Sequence, residues 1–223
     1  MDTVIFDLDD TLADTWHATK HANRRLFLFF VKKRMFKLIK ALVLRENEDF
    51  ITKNDDILLQ DSNEVIRMFI KKYYPNIDEE VIDGAIKTFD DSFFRNFRLI
   101  DGALEVLDHL KGKHRLCIVT DGTVSWQEKK ISLLGIRDYF DRIVIAGALG
   151  TSKPNKQNFL KALNGKDGDI TVVGDRAYTD IKGGKSIGAR TILFKNGFFN
   201  NSNNFDIKAD HTISDLRELV DII

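Results

Sequence analysis

The residues of this chain best suited to chemistry stand near its start, in Thr3-Val4-Ile5-Phe6-Asp7-Leu8-Asp9-Asp10-Thr11-Leu12. An apolar run of β-branched and aromatic residues predicts a buried strand, and it ends abruptly in three carboxylates. Asp7 and Asp9 are two apart, which in extended backbone points both to one side. One strand then delivers a pair of acids to one small volume. Neighbouring carboxylates can take different protonation states, because like charge and partial burial raise the pKa of one of them. A lone Asp at such a place serves equally well as a turn or helix N-cap residue.

The pattern recurs downstream. Arg115 to Thr120 is an apolar stretch ending in Thr120-Asp121-Gly122. Arg142 to Ala146 reads as a third strand, with Gly147 to Gly150 and then Thr151-Ser152-Lys153-Pro154-Asn155 behind it. Asp169 to Val173 is a fourth, ending in Gly174-Asp175-Arg176 with Asp180 close by, and Arg190 to Phe194 a fifth. In a parallel sheet the carboxyl ends of the strands share one edge, so these polar groups can converge.

The elements between them support such a sheet. Helical patterns over 101–111, 126–134, 157–163, 179–187 and 214–220 alternate with the strands, which argues an α/β fold with both sheet faces covered. Leu104, Val106, Leu107 and Leu110 are spaced to line one buried side. Gly135 is a natural stop for the helix before it. Gly183-Gly184 reads as close helix packing, and Asn196 to Asn204 as an Asn- and Gly-rich loop. Asp121, in an Asp-Gly pair, reads as a turn or cap residue. Asp10 is expected to be exposed or locally hydrogen-bonded, and Thr11 to stabilise the turn.

Residues 15–97 are different in texture, helical throughout, and read as an insertion between 1–14 and 98–223. From His17 to Arg45 the insertion is basic (Lys20, Arg24, Arg25, Lys32, Lys33, Arg34, Lys37, Lys40, Arg45) and holds no acid. Such a segment can lie on an anionic membrane surface. It can also form two helices of a small bundle, apolar inside and basic outside. The bundle is the expectation, because the Phe-rich run is apolar on nearly every side and wants burial. Glu46 to Asp61 reads as an acidic connection. Ser62 to Tyr74 and Asp78 to Phe94 read as two more amphipathic helices, split by Pro75-Asn76.

Composition narrows the function classes. The 223 residues are 43% hydrophobic, enough for a core, and Lys+Arg balances Asp+Glu at 34 each, so nothing global suggests nucleic-acid binding. The single cysteine, Cys117, excludes an internal disulfide and a cysteine-rich metal site, and its apolar neighbours predict a buried thiol. The five histidines show no metal-ligand spacing. The chain starts with an acid and a strand rather than a basic stretch and an apolar run, and no stretch approaches a bilayer span. The expectation is a cytoplasmic protein.

Taken together, the motifs resemble those of the haloacid dehalogenase-like hydrolase superfamily, most of whose members are magnesium-dependent phosphatases. The matching segments, in the family's order, are Asp7-Leu8-Asp9-Asp10-Thr11-Leu12, Thr120 in Cys117-Ile118-Val119-Thr120-Asp121-Gly122, Lys153 in Ser152-Lys153-Pro154, and Gly174-Asp175-Arg176-Ala177-Tyr178-Thr179-Asp180-Ile181. The resemblance implies a Rossmann-like parallel sheet core carrying an inserted all-helical cap of the C1 type over 15–97.

It implies roles as well. Asp7 would be the nucleophile that forms a phosphoaspartyl intermediate. Asp9 would be the general acid and then the general base. Mg²⁺ would take the Asp7 side chain, the Asp9 backbone carbonyl and the Asp175 side chain, with Asp180 a supporting carboxylate or occasional ligand. Thr120 would hydrogen-bond a phosphoryl oxygen, and Lys153 would offset its charge. The substrate would be a small phosphorylated metabolite. Lys20, Arg24 and Arg25 of the insertion are candidates to favour an anionic one. Dehalogenases of the superfamily lack the second aspartate, and Asp9 is present. A sugar phosphomutase with the same core, or a membrane-associated binding module using 17–45, are the alternatives.

Overall fold

The computed structural model describes residues 1–44, 46, 62–165, 168–195 and 207–223. Arg45, all but Glu46 of the expected acidic connection, and the loop expected over Asn196 to Asn204 lie outside the described residues. The chain divides into two compact units, Met1–Asp14 with Arg98–Ile223, and Thr15–Phe97.

The first unit is built on a parallel sheet of β1 (Thr3–Phe6), β2 (Arg115–Thr120), β3 (Arg142–Ile145), β4 (Ile170–Gly174), β5 (Arg190–Phe194) and β6 (His211–Ile213), in the order β3-β2-β1-β4-β5-β6. The strand of the opening motif is therefore central. The chain winds from it to β2 and β3 on one side, then to β4 on the other, which makes the β1/β4 boundary a topological switch point. A crevice opens at the carboxyl ends of strands at such a point. Phe6 stands opposite Ile118 on one side and Val173 on the other, so Asp7, Thr120 and Asp175 fall at one edge.

Five strands arise where apolar residues run unbroken, because a strand covered on both faces has no polar side. β6 carries no such signal. His211 and Thr212 are exposed and only Ile213 is buried, and the strand forms by pairing with β5 at the sheet edge. β1 ends at Phe6, before either acid of the first motif. Regular extended backbone thus stops short of Asp7 and Asp9, and their two-residue spacing does not by itself place them on one side. Asp7 N–H still donates to Val173 O at 2.9 Å, while Asp9 pairs backbone-to-backbone with Ala13 in a tight turn.

Helices α5 (Ala103–Leu110), α6 (Val124–Leu134) and α7 (Lys156–Leu163) cover the sheet. Val106, Leu107 and Leu110 are buried as spaced, but Leu104 is exposed. Around Phe159 the core collects Ile5, Cys117, Val119, Val144 and Val172. Burial pushes the Cys117 thiol up to about 11, so it stays a neutral core side chain. Arg115 donates from its guanidinium to the carbonyls of Ala162 and Leu163 at 3.0 and 2.7 Å, closing the carboxyl end of α7 onto β2. After β4 the chain makes a π-helical turn, Ala177–Ile181, and then α8 (Lys182–Lys185), where a single helix was expected. Gly183 lies against the Phe159 ring and Gly184 against Val172 and Thr191, so the pair serves packing. The chain ends in a short 3₁₀ turn, Leu216–Glu218, and α9 (Leu219–Ile222).

The second unit contains α1 (Thr15–Lys32), α2 (Phe36–Val43), α3 (Ser62–Tyr73) and α4 (Glu79–Asn96). α1 buries Ala18, Ala22, Leu26 and Phe30, a stripe at every fourth position, and α4 buries Ile82, Ala85, Phe89 and Phe93. The Phe-rich run is less buried than its composition suggests. Leu28 and Val31 are exposed, because a straight helix can turn only one stripe inward. Arg67 of α3 pairs with Glu79 and Asp83 of α4 at the surface. Among the described residues no helix is long and apolar enough to cross a membrane.

Candidate active site

The centre of the site is an ammonium enclosed by acids. Lys153 Nζ donates to Asp7 Oδ1 at 2.6 Å and to Asp180 Oδ1 at 2.7 Å, and all three side chains are buried. Asp7 is placed by the end of β1, Asp175 by the end of β4, and Asp180 by the π-helical turn that follows. The turn folds back so that Asp180 Oδ2 accepts the backbone N–H of Arg176 at 3.0 Å. Gly174 makes this possible, since a Cβ there would lie 2.4 Å from Asp180 Cβ and Cγ. π-Helical turns commonly mark functional sites. Lys153 is held through its own backbone, whose N–H donates to Asp121 Oδ1 at 2.9 Å.

The electrostatics follow from burial. Removal from water pushes the Asp7 carboxyl up to about 8, with Lys153 opposing and the charges of Asp180 and Asp9 adding. Burial likewise raises Asp175 well above the carboxylate range, reinforced by Asp7 and Asp180. Burial works against the charge of Lys153, but Asp180, Asp7 and Asp121 outweigh it and hold the ammonium well above its usual range. Asp121 is itself raised by burial.

Asp7, Asp175 and Asp180 each offer a carboxylate oxygen, and these atoms lie within 4.8 Å of one another. Asp175 Oδ1 is buried with no hydrogen-bond partner among the described residues. A desolvated carboxylate oxygen left without a donor, beside two further acids, fits a hard divalent cation.

Asp9 faces other partners. Lys130 Nζ donates to its Oδ1 at 2.7 Å and Gln127 Nε2 to its Oδ2 at 2.9 Å. Gln127 Nε2 also reaches Thr120 Oγ1 at 2.9 Å and the Asp121 carbonyl. Thr120 is fully buried at the end of β2. Asp7, Lys153, Asp175 and Asp180 therefore form one group, and Asp9 with Thr120 a second, joined through Gln127. Lys20, Arg24 and Arg25 are exposed on α1 of the other unit, where the Lys20 ammonium sits 5.6 Å from the Trp16 ring centroid.

Two neighbours, Gln127 and Lys130, were not singled out in the sequence. Gln127 and Lys130 lie three apart on one face of α6, a spacing that in sequence is shared by any solvated helix face. Asp121 is no helix cap, since Thr123 Oγ1 takes that role by accepting the Trp126 N–H at 3.4 Å. Asp10 is buried rather than exposed, with φ +58°, a left-handed conformation that Asp tolerates, and it is locally hydrogen-bonded, its N–H donating to Ala13 O at 2.8 Å. Thr11 Oγ1 is buried and finds no hydrogen-bond partner among the described residues, so its hydroxyl does not hold the turn.

A family of known proteins has the same sequence pattern. The model of the haloacid dehalogenase-like hydrolases matches residues 4–194. The chain belongs to this family. Relatives of these haloacid dehalogenase-like hydrolases include a glyceraldehyde 3-phosphate phosphatase of Pyrococcus abyssi, 30% identical over 205 residues, which are 87% of this chain and 81% of that one. A glyceraldehyde 3-phosphate phosphatase of Pyrococcus furiosus is 28% identical over 99% of this chain and 92% of its own. The magnesium-bound structure of the Bacillus subtilis HAD-hydrolase YfnB superposes with a TM-score of 0.72 at 23% identity, covering 99% of this chain and 97% of that one. In this haloacid dehalogenase-like hydrolase, as in the fold it shares with that structure, a parallel sheet presents its strand ends at one edge.

Proposed function

We propose that this hydrolase cleaves the phosphomonoester of a small phosphorylated metabolite in the cytoplasm, through a phosphoaspartyl intermediate on Asp7 and with Mg²⁺ as cofactor. The observation that carries the reading is Asp7 itself, buried at the switch point, paired to Lys153 at 2.6 Å and grouped with Asp175, one of whose oxygens has no donor among the described residues. Glyceraldehyde 3-phosphate phosphatase, the name of two relatives, supports the substrate class.

Asp7, Asp175 and, through its carbonyl, Asp9 would hold Mg²⁺, with Asp180 supporting; the ion would neutralise phosphoryl charge and keep Asp7 ionised. Asp7 attacks phosphorus in line with the leaving oxygen, and charge spreads over the equatorial oxygens. Lys153 and the Thr120 hydroxyl stabilise those oxygens. Asp9 protonates the departing alkoxide, then takes a proton from the water that hydrolyses the acyl phosphate. The helical unit 15–97 serves as the cap and sets specificity, with Lys20, Arg24 and Arg25 its candidate cations for an anionic substrate. The purified protein should hydrolyse 4-nitrophenyl phosphate with Mg²⁺ and lose the activity in EDTA. Equal rates in EDTA, checked for residual metal, would remove this reading.

Stability should follow pH in a direction set by the buried acids. The Asp7 carboxyl moves from an ordinary 3.8 to about 8 on folding, so between these values the folded state holds a proton that the unfolded state has released. Stability contributed by the protonated form is present below 3.8 and lost as pH rises through about 8. In EDTA the Tm should therefore fall from pH 5 to pH 8.5. Added Mg²⁺ should raise the Tm most at the upper end, where protons no longer compete. Differential scanning calorimetry at both pH values, with EDTA and with Mg²⁺, checks this.

A further inference from the structure

We propose that Lys130 and Gln127 act as a clamp that positions the Asp9 carboxyl group for proton transfer, a role that rests on the phosphatase reading above. The two side chains divide the carboxylate between them, Lys130 Nζ on Oδ1 at 2.7 Å and Gln127 Nε2 on Oδ2 at 2.9 Å. Both are almost wholly buried, while the Asp9 side chain keeps 28% of its surface exposed. A lysine so enclosed is no solvated helix charge, because burying an ammonium is tolerated only where an acid and its hydrogen bonds compensate.

The clamp has its own supports. Thr123 caps α6, which fixes the start of the helix and hence the register of Gln127 and Lys130 one turn apart. Gly122 has φ +107°, and a Cβ there would lie 3.2 Å from Gln127 Nε2, so a glycine leaves the amide its room. Through the same nitrogen Gln127 holds Thr120 Oγ1 at 2.9 Å. One amide thus sets the proton-transfer group and the phosphoryl-binding hydroxyl relative to each other.

The step served is balanced. As the bond from phosphorus to the leaving oxygen breaks and that from Asp7 to phosphorus forms, the Asp9 proton passes to the leaving oxygen. As water then attacks phosphorus and releases Asp7, its proton returns to Asp9. Lys130 and Gln127 keep their own protons throughout. They are positioning residues, acting through Asp9 and Thr120.

The test exploits leaving groups. An alkyl phosphate such as glycerol phosphate needs a proton on its leaving oxygen, whereas 4-nitrophenyl phosphate needs little help. With Mg²⁺ present, Lys130→Met should lower kcat/KM for the alkyl ester by about 30- to 100-fold. The loss on the aryl ester should be several-fold smaller. KM should change by less than about twofold, because transition-state help is lost rather than uniform binding. Asp9→Asn should show the same selectivity, and the double variant should be no worse than Asp9→Asn within about twofold. Gln127→Met, read the same way, covers the case of a poorly folded Lys130→Met. Equal losses on both esters, losses that multiply with Asp9→Asn, or a rise in activity would each overturn the clamp. A wild-type protein inert on both esters would instead remove the phosphatase reading, and the clamp's role with it.

Discussion

Asp7→Asn is expected to lower phosphomonoester hydrolysis by about 10⁴-fold or more, the largest effect of any single substitution in this chain. An amide cannot displace the leaving oxygen, and no other carboxylate can replace it. Asp175 and Asp180 lie close by, but each is fixed by its own element, and Asp180 already takes Lys153 and the Arg176 N–H. The substitution is nearly isosteric, so the loss should come without unfolding. It should even spare the metal-free protein the cost of an ionised group that burial raises to about 8. The Tm of Asp7→Asn in EDTA at pH 8.5 is therefore expected to equal or exceed that of the wild type. Steady-state hydrolysis of 4-nitrophenyl phosphate, with calorimetry on the same samples, measures both. Activity within tenfold of wild type would show that Asp7 is not the nucleophile.

Lys153→Met should be the most destabilising change at the site. It removes the ammonium that answers Asp7 at 2.6 Å and Asp180 at 2.7 Å, where all three side chains are buried. Breaking a buried pair by deleting one partner costs about 3–5 kcal/mol, because the remaining charge stays uncompensated. The cost depends on pH. At low pH the stranded Asp7 carboxyl can protonate; as pH rises through about 8 and beyond, it must either ionise without a partner or the protein unfold. Urea unfolding in EDTA should thus show the gap between wild type and Lys153→Met widening from pH 5.5 to pH 8.5. A gap of equal size at both pH values would mean that Lys153 acts by packing alone. Activity should fall by about 10³-fold at either pH, since the charge on the phosphoryl oxygens loses its counterpart.

Local pattern and tertiary structure contribute differently to this protein. Five strands could be read because each is an apolar run covered on both faces, a property written in consecutive residues. β6 could not, since only Ile213 of its three residues is buried and its existence depends on the β5 edge. The break of the chain's texture between residues 14 and 98 was also legible, as unbroken apolar runs give way to helical spacing. Which apolar residues stay outside was not, as exposed Leu28 and Val31 show, because that depends on the neighbour each helix finds.

The site divides in the same way. Sequence by itself marked the acids after β1 and β4 and the hydroxyl at the end of β2, since each breaks an apolar pattern at a strand end, whereas the lysine before Pro154 stood out only through the family resemblance of its segment. Only the tertiary structure decided which of these charges meet. It set Lys153 between Asp7 and Asp180, 146 and 27 positions away, and Lys130 against Asp9 across 121 positions. It also left one oxygen of Asp175 without a donor among the described residues. The reason is physical: residue type and spacing record what a segment prefers on its own. The strength of a charge pair depends instead on distance and on the exclusion of water, and both exist only once distant segments have packed.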